Sequence, residues 1–295
     1  MNFNKHRFLL SQLLLDIFND VRLSSLLAFK GGTSLMMFYG LNRFSTDLDF
    51  NLLDETQMEF VHKILRGILL KYGTIDDEAI KFYGSILVLN YGVGERKLKV
   101  EVSVRQYDNH YEKKSLLNTD MNVMTVPDMF AHKLCALGER VTPRDIFDVW
   151  FFLSKRCEVN ENIVSLRTGK NIAQYIMDMA DEVSGYSQKI LMQGIGEVLQ
   201  DSSSKTFVKN RLLSETSTLL NLFALNPLVS TQPKTVRFKI IESNPSINEF
   251  CAKNDIDISI ISEKKLLLLS NGTPISVLNK AGSNITVPCS VIINS

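Results

Sequence analysis

Histidine and cysteine are scarce in this chain, four of each among 295 residues, and neither is clustered. Cys135, Cys157, Cys251 and Cys289 have no Cys-x-x-Cys spacing, which argues against a zinc ribbon and against a disulfide framework. His6, His62, His110 and His132 show no ligand spacing, and His132 beside Lys133 reads as incidental. An excess of one charge sign is also missing. The formal net charge is +1, so any nucleic-acid contact must come from a local patch. No apolar run is long enough to span a membrane. The first twenty residues begin basic and then turn apolar, as a signal peptide does. Gln12 and Asp16 interrupt that run, however, and Leu10, Leu14, Phe18 and Val21 recur at helical spacing. An amphipathic helix in a cytoplasmic protein is therefore expected. Internal repeats and low-complexity segments are absent as well.

What is present is an ordinary globular composition, 45% hydrophobic, in a chain long enough for one large domain or two modest ones. The patterning predicts an α+β protein. Leu27 to Phe29 reads as a short buried strand ending at Lys30, and Gly31-Gly32-Thr33 turns it into a helix over 34–41. A strand over 46–52 follows. Asp54 to Gln57 has capping-box spacing ahead of a helical stripe of Phe60, Ile64, Ile68 and Tyr72. Strands are expected over 85–91 and 97–105, around the turn Gly92-Val93-Gly94. From Pro127 the pattern becomes helical, with Pro127 and Pro143 each near a helix start, and continues to Leu222. After Pro227 and Pro233, short β-rich runs (236–241, 256–261, 264–269 and 285–293) alternate with turns such as Asn271-Gly272. The expected divisions are an α/β core over 1–125, a helical region over 126–230 that completes the active site, and a β-rich segment of open role over 231–295.

The chemistry begins at Asp47 and Asp49, two acids on an apolar run. Strand alternation puts both on one face, about 7 Å apart at Cα, with Leu48 and Phe50 directed to a core. Carboxylates so close repel unless a cation lies between them. Hard oxygen ligands of this kind suit Mg²⁺ with bound phosphate, Mn²⁺ being a substitute. A third acid would complete a two-metal arrangement for displacement at phosphorus. Glu101 can supply it if the strands are neighbours, since alternation places Lys99, Glu101, Ser103 and Arg105 on one face; taken alone, the residue reads first as part of a solvent-facing strand of mixed charge. Gly31 and Gly32 let the backbone approach a ligand, the following helix N-terminus offers free N–H groups to phosphate, and the Thr33 and Ser34 hydroxyls add donors. Thr142, Pro143 and Asp145 make a good helix start. Asp148 lies on a solvated face or is paired with a base such as Lys133 or Arg144. Lys113-Lys114, and Lys97, Lys99 and Arg105, form either a basic patch for an RNA acceptor or ordinary solvated surface.

Gly-Gly-Thr, a short helix and then Asp47-Leu-Asp49 resemble the signature of the nucleotidyltransferase (DNA polymerase β-like) superfamily. More narrowly, Lys30-Gly-Gly-Thr33 with Arg43-Phe-Ser-Thr-Asp-Leu-Asp49 resembles the AbiEii/AbiGii toxin family of bacterial toxin–antitoxin and phage-abortive systems. A second block fits as well, Lys133-Leu-Cys-Ala-Leu-Gly-Glu-Arg140 followed by Arg144-Asp-Ile-Phe-Asp148 and Trp150. The two blocks span about half the chain; the β-rich tail matches nothing in the resemblance. The resemblance implies transfer of a nucleoside monophosphate from a nucleoside triphosphate, for some members onto the acceptor end of tRNA, with a cognate antitoxin as partner. It implies that Lys30, Gly31, Gly32, Thr33 and Ser34 hold the triphosphate and that Asp47 and Asp49 bind Mg²⁺. Glu101 would be the third metal-site acid, orienting or deprotonating the acceptor hydroxyl. Lys133, Arg144 and Asp148 would position nucleotide and acceptor, Ser45 would be a nucleotide contact, and Asp148 would be paired with a base rather than solvated. Two alternatives stay open: a protein-modifying enzyme of the same fold, adenylylating or phosphorylating the antitoxin, and a non-catalytic binding module.

Overall fold

A computed structural model describes residues 2–105, 107 and 109–230, together with the backbone of two strands, Ile275–Leu278 and Asn284–Val287. Residues 1–230 form one compact unit and 231–295 another.

The chain opens with α1, Phe3–Asn19, whose Leu10, Leu13, Leu14 and Ile17 are fully buried. The expected amphipathic helix is there, but it stops one turn early. Asp20 caps a new short helix, α2 (Val21–Ser24), by accepting from the Arg22 backbone N–H. Val21, expected on the apolar stripe, is consequently 83% exposed. Strand β1 (Leu27–Lys30) leads directly into α3 (Gly31–Phe38). That helix begins three residues before the expected start, because both glycines are already within its first turn. Strand β2 (Leu48–Leu52) follows, with Leu48, Phe50 and Leu52 fully buried.

Asp54 caps a 3₁₀ turn rather than a longer helix, and α4 is Met58–Leu69. Its core face is Val61, Leu65, Ile68 and Leu69, one residue out of phase with the expected stripe; Phe60 is 44% exposed. The apolar arc of α4 is wider than its contact with the sheet, so the sequence pattern alone does not select which edge faces inward. Strand β3 (Thr74–Lys81) was not foreseen, since its acidic run Asp76-Asp77-Glu78 has no apolar alternation; it is an edge strand, where charge blunts pairing with other chains. Strands β4 (Gly84–Asn90) and β5 (Leu98–Ser103) form the expected pair. Strands β6 (Tyr111–Leu116) and β7 (Thr119–Met124) make a further unforeseen hairpin.

These seven strands form one mixed sheet in the order β3-β4-β5-β2-β1-β7-β6. Two pairings matter most for the site. Strands β1 and β2 run antiparallel with Lys30 opposite Asp49, and β2 and β5 run parallel with Asp49 opposite Glu101. Helices α5 (Val126–Glu139) and α6 (Pro143–Ser154) follow, with Pro127 and Pro143 in their first turns. The Thr142 hydroxyl accepts from the Asp145 backbone N–H, as the local sequence predicts. The helical region continues through α7 (Glu161–Thr168), α8 (Ile172–Ser184), α9 (Gln188–Ile195), α10 (Ser202–Asn210) and α11 (Leu212–Leu225). Of the β-rich tail, β8 (Ile275–Leu278) and β9 (Asn284–Val287) pair antiparallel. The runs expected over 236–241, 256–261 and 264–269 lie outside the described residues, as do Cys251 and Cys289.

Candidate active site

Gly31 fixes the geometry at the junction of β1 and α3. Its φ of +82° belongs to the left-handed region, and a Cβ there would run into the Asp49 carboxylate. Glycine is therefore required both for the turn and for the close approach of backbone to acid. Lys30, the residue before the helix, makes no side-chain capping bond. The first N–H groups of α3 are thus left for a ligand.

Gly31, Gly32, Ser45, Asp47, Asp49 and Glu101 line one cavity of about 700 Å³, a volume suited to a nucleotide. Lys30, Lys133 and Arg144 line it too. The expected roles of Thr33 and Ser34 require correction. Both are fully buried; the Thr33 hydroxyl donates to the Asp47 carbonyl, and the Ser34 hydroxyl donates to the Gly31 carbonyl at 2.9 Å. The Thr33 hydroxyl holds the glycine turn against the acid-bearing segment, and the Ser34 hydroxyl closes the first turn of α3 and rests against Met129; neither faces a phosphate, because α3 starts early and rotates them inward.

Burial, with the nearby charges of Glu101 and Asp47, pushes the Asp49 carboxyl above the usual aspartate range despite Lys99 and Lys30. Burial pushes the Lys30 ammonium down, with Asp49 opposing. Glu101 is drawn to Lys99 at 2.8 Å; burial would raise its pKa, but the Lys99 hydrogen bond and charge outweigh that and hold it low. Three convergent metal ligands are therefore not formed: among the described residues no three His, Cys, Asp or Glu side chains are placed to hold a metal ion. The donor set that remains, two carboxylates on one wall of a nucleotide-sized cavity, fits Mg²⁺, which is commonly held by one or two carboxylates plus substrate phosphates and water. Burial is the main cause of the Asp49 shift, so a cation at this wall would favour its ionised form.

Asp148 is fully buried and bound by two cations. Arg43 donates to it from Nε and Nη2, each at 2.6 Å, and Lys133 approaches at 2.7 Å. Lys133 also reaches Asp145 at 3.1 Å. Burial opposes ionisation of Asp148, but Arg43 and Lys133 prevail and keep its carboxyl below the ordinary range. Burial likewise opposes the Lys133 charge, and Asp148 and Asp145 overcome it. The expected pairing with a base holds for Lys133. Arg144 is not the second partner, since it extends toward Glu197 at 3.4 Å instead; Arg43 takes that place. Lys133 is accordingly a fixed charge.

Two further residues escaped the sequence reading. His6 is fully buried; it bonds the Thr46 carbonyl through Nε2 at 2.9 Å and the Tyr91 hydroxyl through Nδ1 at 2.6 Å. It thereby fixes the backbone next to Asp47, and burial holds its pKa down. His132 lines the cavity and is far from incidental, bonding Asn109 through Nε2 at 2.7 Å and Arg167 through Nδ1 at 2.9 Å. Burial, Lys30 and Arg167 keep it neutral. No spacing rule reveals either, because each acts across long sequence separations.

The sequence profile described as "Nucleotidyl transferase AbiEii toxin, Type IV TA system" matches residues 12–204, about two thirds of the chain. No curated protein sequence matches. Among solved structures, JHP933 from Helicobacter pylori is 19% identical, covering 76% of this chain and 90% of that one with a TM-score of 0.45. MenT4, a nucleotidyltransferase toxin from Mycobacterium tuberculosis, is 17% identical, covering 76% and 92% with a TM-score of 0.47.

Proposed function

This chain belongs to the AbiEii nucleotidyl transferase toxin family, and on that premise we propose that it is a Mg²⁺-dependent nucleotidyltransferase acting on RNA, tRNA being the expected acceptor. The observation that carries this reading is one cavity in which Asp47 and Asp49 face the uncapped start of α3. Backbone N–H groups of Gly31 and Gly32, with Lys30, would bind the triphosphate. Asp47 and Asp49 would hold the divalent ion, whose charge offsets that of the phosphates. The acceptor hydroxyl oxygen would attack the α-phosphorus, its proton passing to water, the bond to the bridging oxygen would break, and pyrophosphate would leave. Glu101, kept ionised by Lys99, is better suited to orient that hydroxyl than to remove its proton, because a lowered pKa makes a weak base. Ser45 and Arg144 would contact the nucleotide. Lys133 and Asp148 would act by holding Arg43, and with it the segment that carries Ser45 and Asp47.

No described helix is long and apolar enough to cross a membrane, and we place the reaction in the cytoplasm, where a cognate antitoxin would restrain it. The test incubates purified protein with each labelled nucleoside triphosphate and Mg²⁺, with and without total tRNA. Label entering RNA with one nucleotide, and lost with Asp47→Asn, is the expected result. Label entering only protein would replace the RNA reading with the protein-modifying one, and no transfer to either would leave a binding module.

A further inference from the structure

The tip of the β3–β4 hairpin exposes two adjacent aromatic rings. Phe82 is 87% exposed and Tyr83 54%, and their rings meet edge to face with centroids 4.7 Å apart. The tip is not loose. Gly84 has φ +154°, and a Cβ there would strike the Val102 carbonyl, while the Tyr83 carbonyl accepts from the Val104 N–H at 3.0 Å. Arg105 sits over the Tyr83 ring, its guanidinium carbon 4.5 Å from the centroid.

Arg105 differs from the two lysines that precede it along the chain, although Lys81 at the tip likewise has no carboxylate among the described residues. Lys97 pairs with Asp76 at 2.8 Å and Lys99 with Glu101 at 2.8 Å. Among the described residues no carboxylate pairs with Arg105. It also lines the nucleotide-sized cavity, in a row with Glu101 and Ser103. The row extends about 13 Å from Glu101 to Arg105 at strand rise, a span of about two extended nucleotides. An aromatic pair, an arginine with no carboxylate partner among the described residues and a path to the acid that would meet the acceptor hydroxyl together match how single strands are held: bases stack on aromatic faces and phosphates meet cations, without sequence readout.

Resting on the nucleotidyltransferase reading above, we propose that Phe82, Tyr83 and Arg105 form the platform for the single-stranded 3′ end of the RNA acceptor. The terminal hydroxyl lies toward Glu101, a backbone phosphate meets Arg105, and the preceding bases stack on the hairpin tip. A blunt duplex end cannot present unstacked bases and is a poor occupant.

The experiment uses the full chain and a fluorescein-labelled single-stranded RNA of about twelve nucleotides with a free 3′ hydroxyl. Binding is followed by anisotropy, transfer by labelled nucleotide, and nucleotide binding by calorimetry. The Phe82→Ala/Tyr83→Ala pair should weaken RNA binding and raise the acceptor KM at least about tenfold, with nucleotide affinity unchanged as the control for folding. Tyr83→Trp should match the parent, and the blunt duplex of the same sequence should bind at least about tenfold more weakly. Parent-like RNA affinity and KM in the alanine pair overturn the platform, as does loss of a captured antitoxin with RNA binding intact. A parent that binds this RNA through the hairpin yet transfers nothing to it refutes the reaction and keeps the platform. A parent that labels RNA, with the alanine pair labelling it equally well, refutes the platform and keeps the reaction.

Discussion

Asp148 is fully buried and Asp49 half-buried at the cavity wall, and their surroundings drive them in opposite directions. Asp148 has Arg43 and Lys133 at hydrogen-bond distance, so its charge is satisfied within the protein. At Asp49 burial, with Glu101 and Asp47, outweighs the opposing charges of Lys99 and Lys30, so its charge is only partly offset within the protein. Asp49→Asn should therefore leave the melting temperature equal or higher, since it removes a costly charge, while transfer falls at least about a hundredfold. Parent-like transfer at saturating Mg²⁺ would remove Asp49 from the metal site. Asp148→Ala strands the buried Arg43, leaving Lys133 with Asp145 alone, and should cost about 3–5 kcal/mol in denaturant unfolding. Its pH dependence has a definite sign. The folded-state pKa lies below the unfolded value of about 3.9, so the contribution is complete above that pH and disappears as pH falls through the folded value. The stability gap between parent and Asp148→Ala should stay level from about pH 7 to about pH 5 and narrow below about pH 4.

Elements enter the site by their ends and by single side chains. The start of α3 serves as ligand wall only because Gly31 lets it approach Asp49, so Gly31→Ala should cost about 1–3 kcal/mol through the forced left-handed backbone and displace the carboxylate. Loss of transfer larger than the stability loss accounts for is the expected signature; a stable, fully active variant would dissociate the turn from the chemistry. Helix α1 contributes through His6, which holds the Thr46 carbonyl. The folded-state pKa of His6 is below its unfolded value near 6.5, and that of His132 is shifted the same way. The unfolded chain then binds more protons, so their contribution is full above about pH 6.5 and is lost as pH falls through the folded values. The melting temperature should drop between about pH 7 and about pH 5, and His6→Gln should show a smaller drop from a lower start.

For the molecule as a whole, the division after Ser230 gives a direct test. Residues 1–230 form a unit by themselves, closed by Val159 and Val229, with the Ser230 N–H donating to the Val159 carbonyl at 2.9 Å. The residues proposed to bind nucleotide all lie within it. A chain ending at Ser230 should keep Mg²⁺-dependent nucleotide binding in calorimetry; a well-folded truncation that binds none would assign the tail to the active site. In bacteria, expressing the full chain without an antitoxin should slow growth, and Asp47→Asn should relieve the arrest. Equal toxicity of the two would point away from catalysis.

Local physics was legible in the sequence. The Asp47/Asp49 alternation, the glycine turn and the Pro143 helix start depend on neighbouring dihedrals and side-chain period, and these a linear chain carries in full. The α4 stripe slipped by one residue because its apolar arc exceeds its buried face, and the Thr33 and Ser34 hydroxyls turned inward because α3 begins early. What no local pattern encodes is pairing across distance. Only the sheet order sets Glu101 opposite Asp49. Only the packing of α6 against the segment before β2 delivers Arg43 to Asp148, 105 residues apart, and only α1 brings His6 to Thr46. The sequence by itself determined which residues can do the chemistry, since ionisation and backbone freedom belong to residue type. The tertiary structure decided which of them meet, because a charge buried far from water is stable only beside the partner that folding brings to it.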